Sequence, residues 1–199
     1  MTGTTWFVAG FLALVVVERA AATFSRRQLV AGEQRMQWSL YALYGSYSLV
    51  VGGALAEHLI TRRPLIPWVS VVGLLAYLGS FVLRTVAIRT LREFWSLQIE
   101  IRSEHRLIRE GVYSWLRHPN YAAILLEVLS IPLVVNAWVT LALALATFVP
   151  MLLYRTHCEE AALVEKFGER YRAYQREVGK LVPKWSARRR GPGSPDRDS

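Results

Sequence analysis

Aspartate is almost missing from this chain: its two copies, Asp196 and Asp198, both sit in a Gly/Pro/Ser-rich tail. That excludes an aspartate dyad and a Ser-His-Asp triad, each of which needs a carboxylate fixed beside its partner. Lysine is scarce as well. Of the 24 Lys and Arg residues only Lys166, Lys180 and Lys184 are lysine. The lone cysteine, Cys158, leaves no intrachain disulfide to form. Neither G-x-G-x-x-G nor G-x-x-x-x-G-K-[ST] occurs. A nucleotide-like cofactor must therefore be held by something other than a Rossmann or P-loop unit. His157, Cys158 and Glu160 lie close in sequence, but neighbours on a helix point in different directions, so no metal is expected.

What is abundant is apolar. Hydrophobic residues make up 53% of the 199 positions, and they fall in blocks: 5–22, 38–60, 65–83, 121–135 and 137–154. A span needs about 20 mostly apolar residues to cross roughly 30 Å of hydrocarbon. The expected fold is an all-α integral membrane protein with about five transmembrane helices. Only Asn136 separates the fourth block from the fifth, so spans 4 and 5 read as a tight helical hairpin, with Pro132 and Pro150 kinking it. The first block lacks a basic n-region and carries Glu18-Arg19 where a small-residue cleavage site would stand. It reads as a retained span, not a signal peptide.

Seven arginines lie between Arg84 and Arg117, and ten basic residues follow Glu159. The positive-inside rule makes both stretches cytoplasmic. The N-terminus is then outside and the C-terminus inside, with Arg62 and Arg63 on the outer side against the rule. The net charge of +9 fits flanks beside anionic headgroups, so membrane lipids are expected partners and nucleic acid is not. The arginine bias fits a GC-rich bacterial genome and hence an inner membrane. The chain divides into spans 1–3 (1–83), a core (84–185) and a disordered basic tail (186–199).

Polar residues concentrate in two places. The stretch 92–121 is too charged to span and far longer than an ordinary connection, with Gly111 breaking it and His118-Pro119 marking entry to the fourth span. The second place, RTHCEE at 155–160, ends the fifth span. Arg155 and Glu159 share a helical face there, and two adjacent acids beside hydrocarbon call for a cationic partner. An amphipathic helix follows, carrying Leu163, Phe167, Tyr171, Tyr174 and Val178, interrupted at Gly168 and ended by Pro183. It either caps a cytoplasm-facing cavity or lies on the membrane.

These motifs, G-V-Y-x-W-x-R-H-P-x-Y, the hairpin and E-E-x-x-L-x-x-x-F-G-x-x-Y-x-x-Y-x-x-x-V, resemble the isoprenylcysteine carboxyl methyltransferase family over roughly Gln98 to Pro183. Phospholipid methyltransferases are more distant relatives. The resemblance implies S-adenosylmethionine as cofactor. By position, Gln98, His105, Arg106, Leu107 and Ile108 would line its pocket, Tyr113 would stack there, and His118, Pro119, Asn120 and Tyr121 would wrap its other side. Glu159 would take its ammonium. Arg155 matches the substrate-contacting arginine, with Arg117 a second catalytic candidate. The implied substrate is a lipophilic small molecule or lipid, methylated on a carboxylate or phenol. Glu127, an acid inside the fourth span, departs from the pattern. Either it lines the substrate path, as base toward a phenol, or it pairs with an arginine from the end of the third span. Competing readings are a phospholipid N-methyltransferase, an NADPH-binding sterol-reductase-like enzyme and a non-catalytic lipid-binding scaffold.

Overall fold

The structure, a computed structural model, describes residues 3–24, 33–35, 37–91, 99–101 and 107–184. The tail from 185 onward, assigned above as disordered, lies outside them. Six helices run in chain order: α1 (Gly3–Phe24), α2 (Gln37–Thr61), α3 (Pro67–Leu91), α4 (Pro119–Val134), α5 (Trp138–Phe167) and α6 (Glu169–Glu177). α1, α3 and α5 are long and apolar enough to cross a membrane, and α4 is a shorter apolar helix. α2 matches their length at 25 residues, its apolar run diluted by serine, glycine and tyrosine. Pro132 and Pro150 lie inside α4 and α5 without ending them.

Two helices run further than their apolar blocks. α3 continues past Leu83 to Leu91, and α5 past Tyr154 to Phe167. Thirty residues of α5 make about 45 Å of helix, against roughly 30 Å of hydrocarbon. Its last three turns therefore stand clear of the bilayer. Hydropathy marks where a helix meets lipid, not where its backbone hydrogen bonds stop.

A short antiparallel ribbon joins β1 (Glu33–Arg35) to β2 (Ile99–Ile101), with Gln34 opposite Glu100. It was not foreseen, and it is informative: it ties the α1–α2 connection to the α3–α4 connection at one end of the bundle. The opposite end is organised by Asn136. That residue adopts positive φ (55°), as a two-helix turn this tight requires. Its Oδ1 accepts from Ile66 N at 2.5 Å, and its Nδ2 donates to Ser70 Oγ and Leu133 O at 3.1 and 2.9 Å. Beside it, the Glu57 carboxylate of α2 accepts from Thr140 N at 2.8 Å, Thr140 Oγ1 at 2.9 Å and Val139 N at 3.1 Å. A neighbouring helix thus caps the open N–H groups of α5.

Between these ends the core is apolar, with Val8, Val15, Ala54, Val128, Ile131 and Phe148 almost wholly buried. One charged knot interrupts it. Glu127 is 0% exposed; Tyr47 donates to its Oε1 at 2.8 Å, Arg84 meets its Oε2 at 2.9 Å, and Arg19 closes on the same oxygen. Glu18 sits 3.5 Å from Arg84. An ionised carboxylate in a low-dielectric interior is tolerable only when paired and hydrogen-bonded, and here three helices supply its partners. Of the two readings of Glu127, pairing with an arginine from the third span is the one observed.

α3 and α4 approach most closely at Gly73, where an added Cβ would fall 2.7 Å from Val134 N. At Gly79 it would meet only Leu126 Cδ2, at 3.9 Å. Gly73→Ala is therefore expected to destabilise the bundle by roughly 1–3 kcal/mol through overpacking. Gly79→Ala should be neutral or stabilise by up to about 1 kcal/mol. Detergent-solubilised unfolding of the two variants checks this contrast; equal effects would place the tight contact elsewhere.

Candidate active site

Positive φ at Gly111 (54°) turns the chain into a single 3-10 turn, Gly111–Ser114, which buries Tyr113. His118 then caps α4 and Pro119 occupies its first turn, where a missing N–H costs nothing. The local sequence thus sets Tyr113, Arg117, His118 and Tyr121 in close succession on one side of a cleft. The C-terminal half of α5 supplies the other side, with Arg155, Glu159 and Glu160.

Glu160 is the clasp. Its Oε1 accepts from Arg117 Nε at 2.8 Å and lies 3.2 Å from His118 Nε2, while Lys180 Nζ stands 3.4 Å from its Oε2. Burial alone would raise the pKa of this carboxyl, but the hydrogen bonds and charges of His118 and Arg117 outweigh burial and hold it down to about 2. Arg117 is spent on the same task. Its Nη1 donates to Gln175 O at 2.9 Å and also to Val178 O, so its guanidinium ties α4 to the C-terminal turn. Three protein acceptors thus engage the guanidinium of Arg117, the second catalytic candidate.

The C-terminal turn is fastened by backbone too. Arg117 N donates to Gly179 O at 2.8 Å and His118 N to Lys180 O at 3.0 Å. Only glycine fits at 179, since a Cβ there would lie 1.9 Å from Val182 O. Tyr171, Tyr174 and Val178 of the α6 region pack with Leu107, Leu163 and Phe167. Arg109 sits 5.1 Å over the Tyr174 ring and pairs with Glu177, and the Tyr174 hydroxyl donates to Tyr113 O. The amphipathic helix thus packs on the Tyr113 turn and the end of α5.

Inside the clasp lies a second constellation. Arg155, 2% exposed, donates Nε–H to the Tyr121 hydroxyl at 2.9 Å. That hydroxyl also lies within hydrogen-bonding reach of the Glu159 carboxylate. Glu159 is half-buried, 3.9 Å from His118 Nδ1. Burial, with the Glu159 charge nearby, pushes the Tyr113 phenol above the ordinary tyrosine range. The structure therefore gathers Tyr113, His118, Tyr121, Arg155 and Glu159, with buried Pro119 and half-buried Asn120 beside them; half-buried Leu107 packs against the α6 tyrosines, with half-buried Ile108 next to it in sequence. Gln98, His105 and Arg106 fall outside the described residues. Glu127 does not join the group. Both its oxygens are engaged in the knot. The residues that sequence reasoning passed over are Glu160 and Lys180. The adjacent acids signalled the former, and nothing local signalled the latter.

A carboxylate, two phenols and an imidazole around a buried guanidinium can hold a cation and an anion side by side. The model of the isoprenylcysteine carboxyl methyltransferase (ICMT) family matches residues 71–165, which take in this cleft from Tyr113 to Glu160. The solved eukaryotic intramembrane Ras methyltransferase ICMT superposes with a TM-score of 0.63 at 28% identity, covering 70% of this chain and 52% of that one. The chain is thus similar to the isoprenylcysteine carboxyl methyltransferase family in sequence and in fold. The family's protein-S-isoprenylcysteine O-methyltransferase from Tribolium castaneum is 34% identical over 130 residues, 59% of this chain and 43% of that protein. Methanethiol S-methyltransferase of Pseudomonas deceptionensis is 39% identical over 85 residues, 43% of this chain and 30% of that protein. The chain thus spans about half or less of these relatives. Like the family, it is a multi-pass integral membrane protein.

The clasp carries a pH signature. Because Glu160 is held at about 2 when folded, below the usual 4.5 of a free glutamate, its contribution is complete above about pH 5. It is lost as pH falls from there toward 2. Amide exchange at Arg117 and His118 should accelerate over that window, and Glu160→Gln should show fast exchange already at neutral pH. Exchange that stays slow at pH 3 would mean the clasp is not what fastens the turn.

Proposed function

We propose that this protein is an S-adenosylmethionine-dependent methyltransferase acting on a lipophilic anion, a carboxylate or phenolate, that enters from the bilayer. The observation that carries this reading is Arg155. A guanidinium buried at the bilayer end of α5, oriented by Tyr121 and four residues from Glu159, is placed to meet an anion whose apolar part remains in lipid.

The donor set fits the cofactor. When bound, S-adenosylmethionine supplies a methyl group on a sulfonium, alongside an ammonium and a carboxylate. Glu159 would take the ammonium, and the Tyr113, His118 and Tyr121 rings would form an electron-rich wall for cationic charge. Arg155 holds the acceptor anion and keeps it deprotonated, so no strong general base is needed. The clasp of Glu160, Arg117 and Lys180, with α6 behind it, keeps the walls aligned and excludes water. The basic, clasped end would face the cytoplasm; Trp6, Trp68 and Trp138 mark the starts of α1, α3 and α5 at the other interface.

The methanethiol relative supports a thiolate as a second acceptor class, since Arg155 serves any small anion equally. A phospholipid amine fits less well, because a buried arginine repels the cation it must approach.

Thermal shift in detergent separates the methyl donor from NADPH: S-adenosylhomocysteine should stabilise the protein and NADPH should not. Glu159→Gln should weaken S-adenosylhomocysteine roughly 10–100-fold, the worth of a charged hydrogen bond. Arg155→Ala should leave that affinity within about 3-fold yet lower turnover by roughly 100-fold or more. Stabilisation by NADPH alone, or normal turnover without Arg155, would overturn the assignment.

A further inference from the structure

Donor and acceptor must occupy adjoining sites in the right order, and the geometry offers a link between them. We propose that the Tyr121 hydroxyl is a positioning group that couples Glu159 to Arg155, so that cofactor binding prepares the arginine for the acceptor anion. This rests on the methyl-donor reading given above.

Three placements carry the inference. Tyr121 lies in the first turn of α4, whose start the clasp fixes. Arg155 and Glu159 lie four residues apart on one face of α5. The phenol stands between them, its oxygen accepting from Arg155 Nε at 2.9 Å and its O–H within reach of the Glu159 carboxylate. The chain of donors runs Arg155 N–H to Tyr121 O–H to Glu159. Such chains polarise along their length: a strong acceptor at one end makes the middle oxygen a better acceptor for the other.

The sign of the coupling follows. With Glu159 accepting from Tyr121, the phenol oxygen is electron-rich and draws on Arg155. When an ammonium meets Glu159, the carboxylate's hold on the phenolic proton weakens. The phenol oxygen then accepts less strongly, and more of the guanidinium's charge is available to the acceptor. Donor binding thus strengthens acceptor binding, and by linkage the reverse also holds. A tyrosine that served only as cofactor wall would need its ring but not its hydroxyl.

Arginine side-chain NMR of the full-length protein in detergent, with S-adenosylhomocysteine as probe, tests the coupling. The Arg155 Nε–H signal is assigned by its loss in Arg155→Lys. In the wild type it should be exchange-protected and move upfield as S-adenosylhomocysteine saturates. In Tyr121→Phe the ring remains, so affinity should stay within about 3-fold. The Nε–H should exchange roughly 10–100-fold faster, as for loss of a hydrogen bond to a charged group, and should no longer respond to the probe. A wild-type signal unmoved at saturation, an unprotected one, or a Tyr121→Phe signal that moves as in the wild type would overturn the proposal. Should Tyr121→Phe not fold, the wild-type titration decides alone. If the wild type binds no S-adenosylhomocysteine, it is the methyl-donor reading that falls, and the coupling with it.

Discussion

The ion cluster at Glu160 is the contact on which the candidate site depends. One carboxylate gathers Arg117, His118 and Lys180, and these belong to the entry of α4 and to the C-terminal turn. The same walls are also held by the Arg155–Tyr121 hydrogen bond and, a helix length away, by the Asn136 turn. The clasp converts the hairpin into a fixed cleft, and backbone bonds from Arg117 and His118 to residues 179 and 180 reinforce it.

A second ionic cluster does comparable work inside the bundle. Glu127 pairs with arginines of α1 and α3 and with Tyr47 of α2. Between helices packed in lipid the hydrophobic effect gives little attraction, so close packing and polar contacts carry more of the association. Gly73 supplies the close packing of α3 on α4 and the Glu127 knot the polar contact. The two clusters divide the acids by role: Glu127 joins helices and Glu160 fastens the entry of α4, while half-buried Glu159 is the acid proposed to meet the cofactor's ammonium.

Much of this was legible in the sequence, for local reasons. The blocks gave the helices because hydrocarbon thickness fixes their length. Asn136 between two apolar runs gave the hairpin, and His118-Pro119 gave the start of α4 because proline suits a first turn. Glu127 was readable as one of two alternatives, since an unpaired acid in lipid is too costly to leave without an arginine. The remainder depended on distant partners. The roles of Arg117 and Lys180 follow from residues some 20 to 60 positions away, which no periodicity encodes. The β1–β2 ribbon pairs two segments of three residues, too short to stand out as strands and far apart in sequence. The turns of α5 beyond Tyr154 were legible from the shared face of Arg155 and Glu159 and the spacing of Leu163 and Phe167; falling hydropathy hid only that they continue the same helix without a break.

The central claim is that the cleft between the entry of α4 and the end of α5 is the methyl-donor site. Ultraviolet crosslinking of methyl-labelled S-adenosylmethionine to the purified protein, followed by peptide mapping, tests it most directly. The account predicts label within residues 107–121 and 155–164, suppressed by excess S-adenosylhomocysteine. Label confined to α1–α3, or no competable label at all, would contradict it.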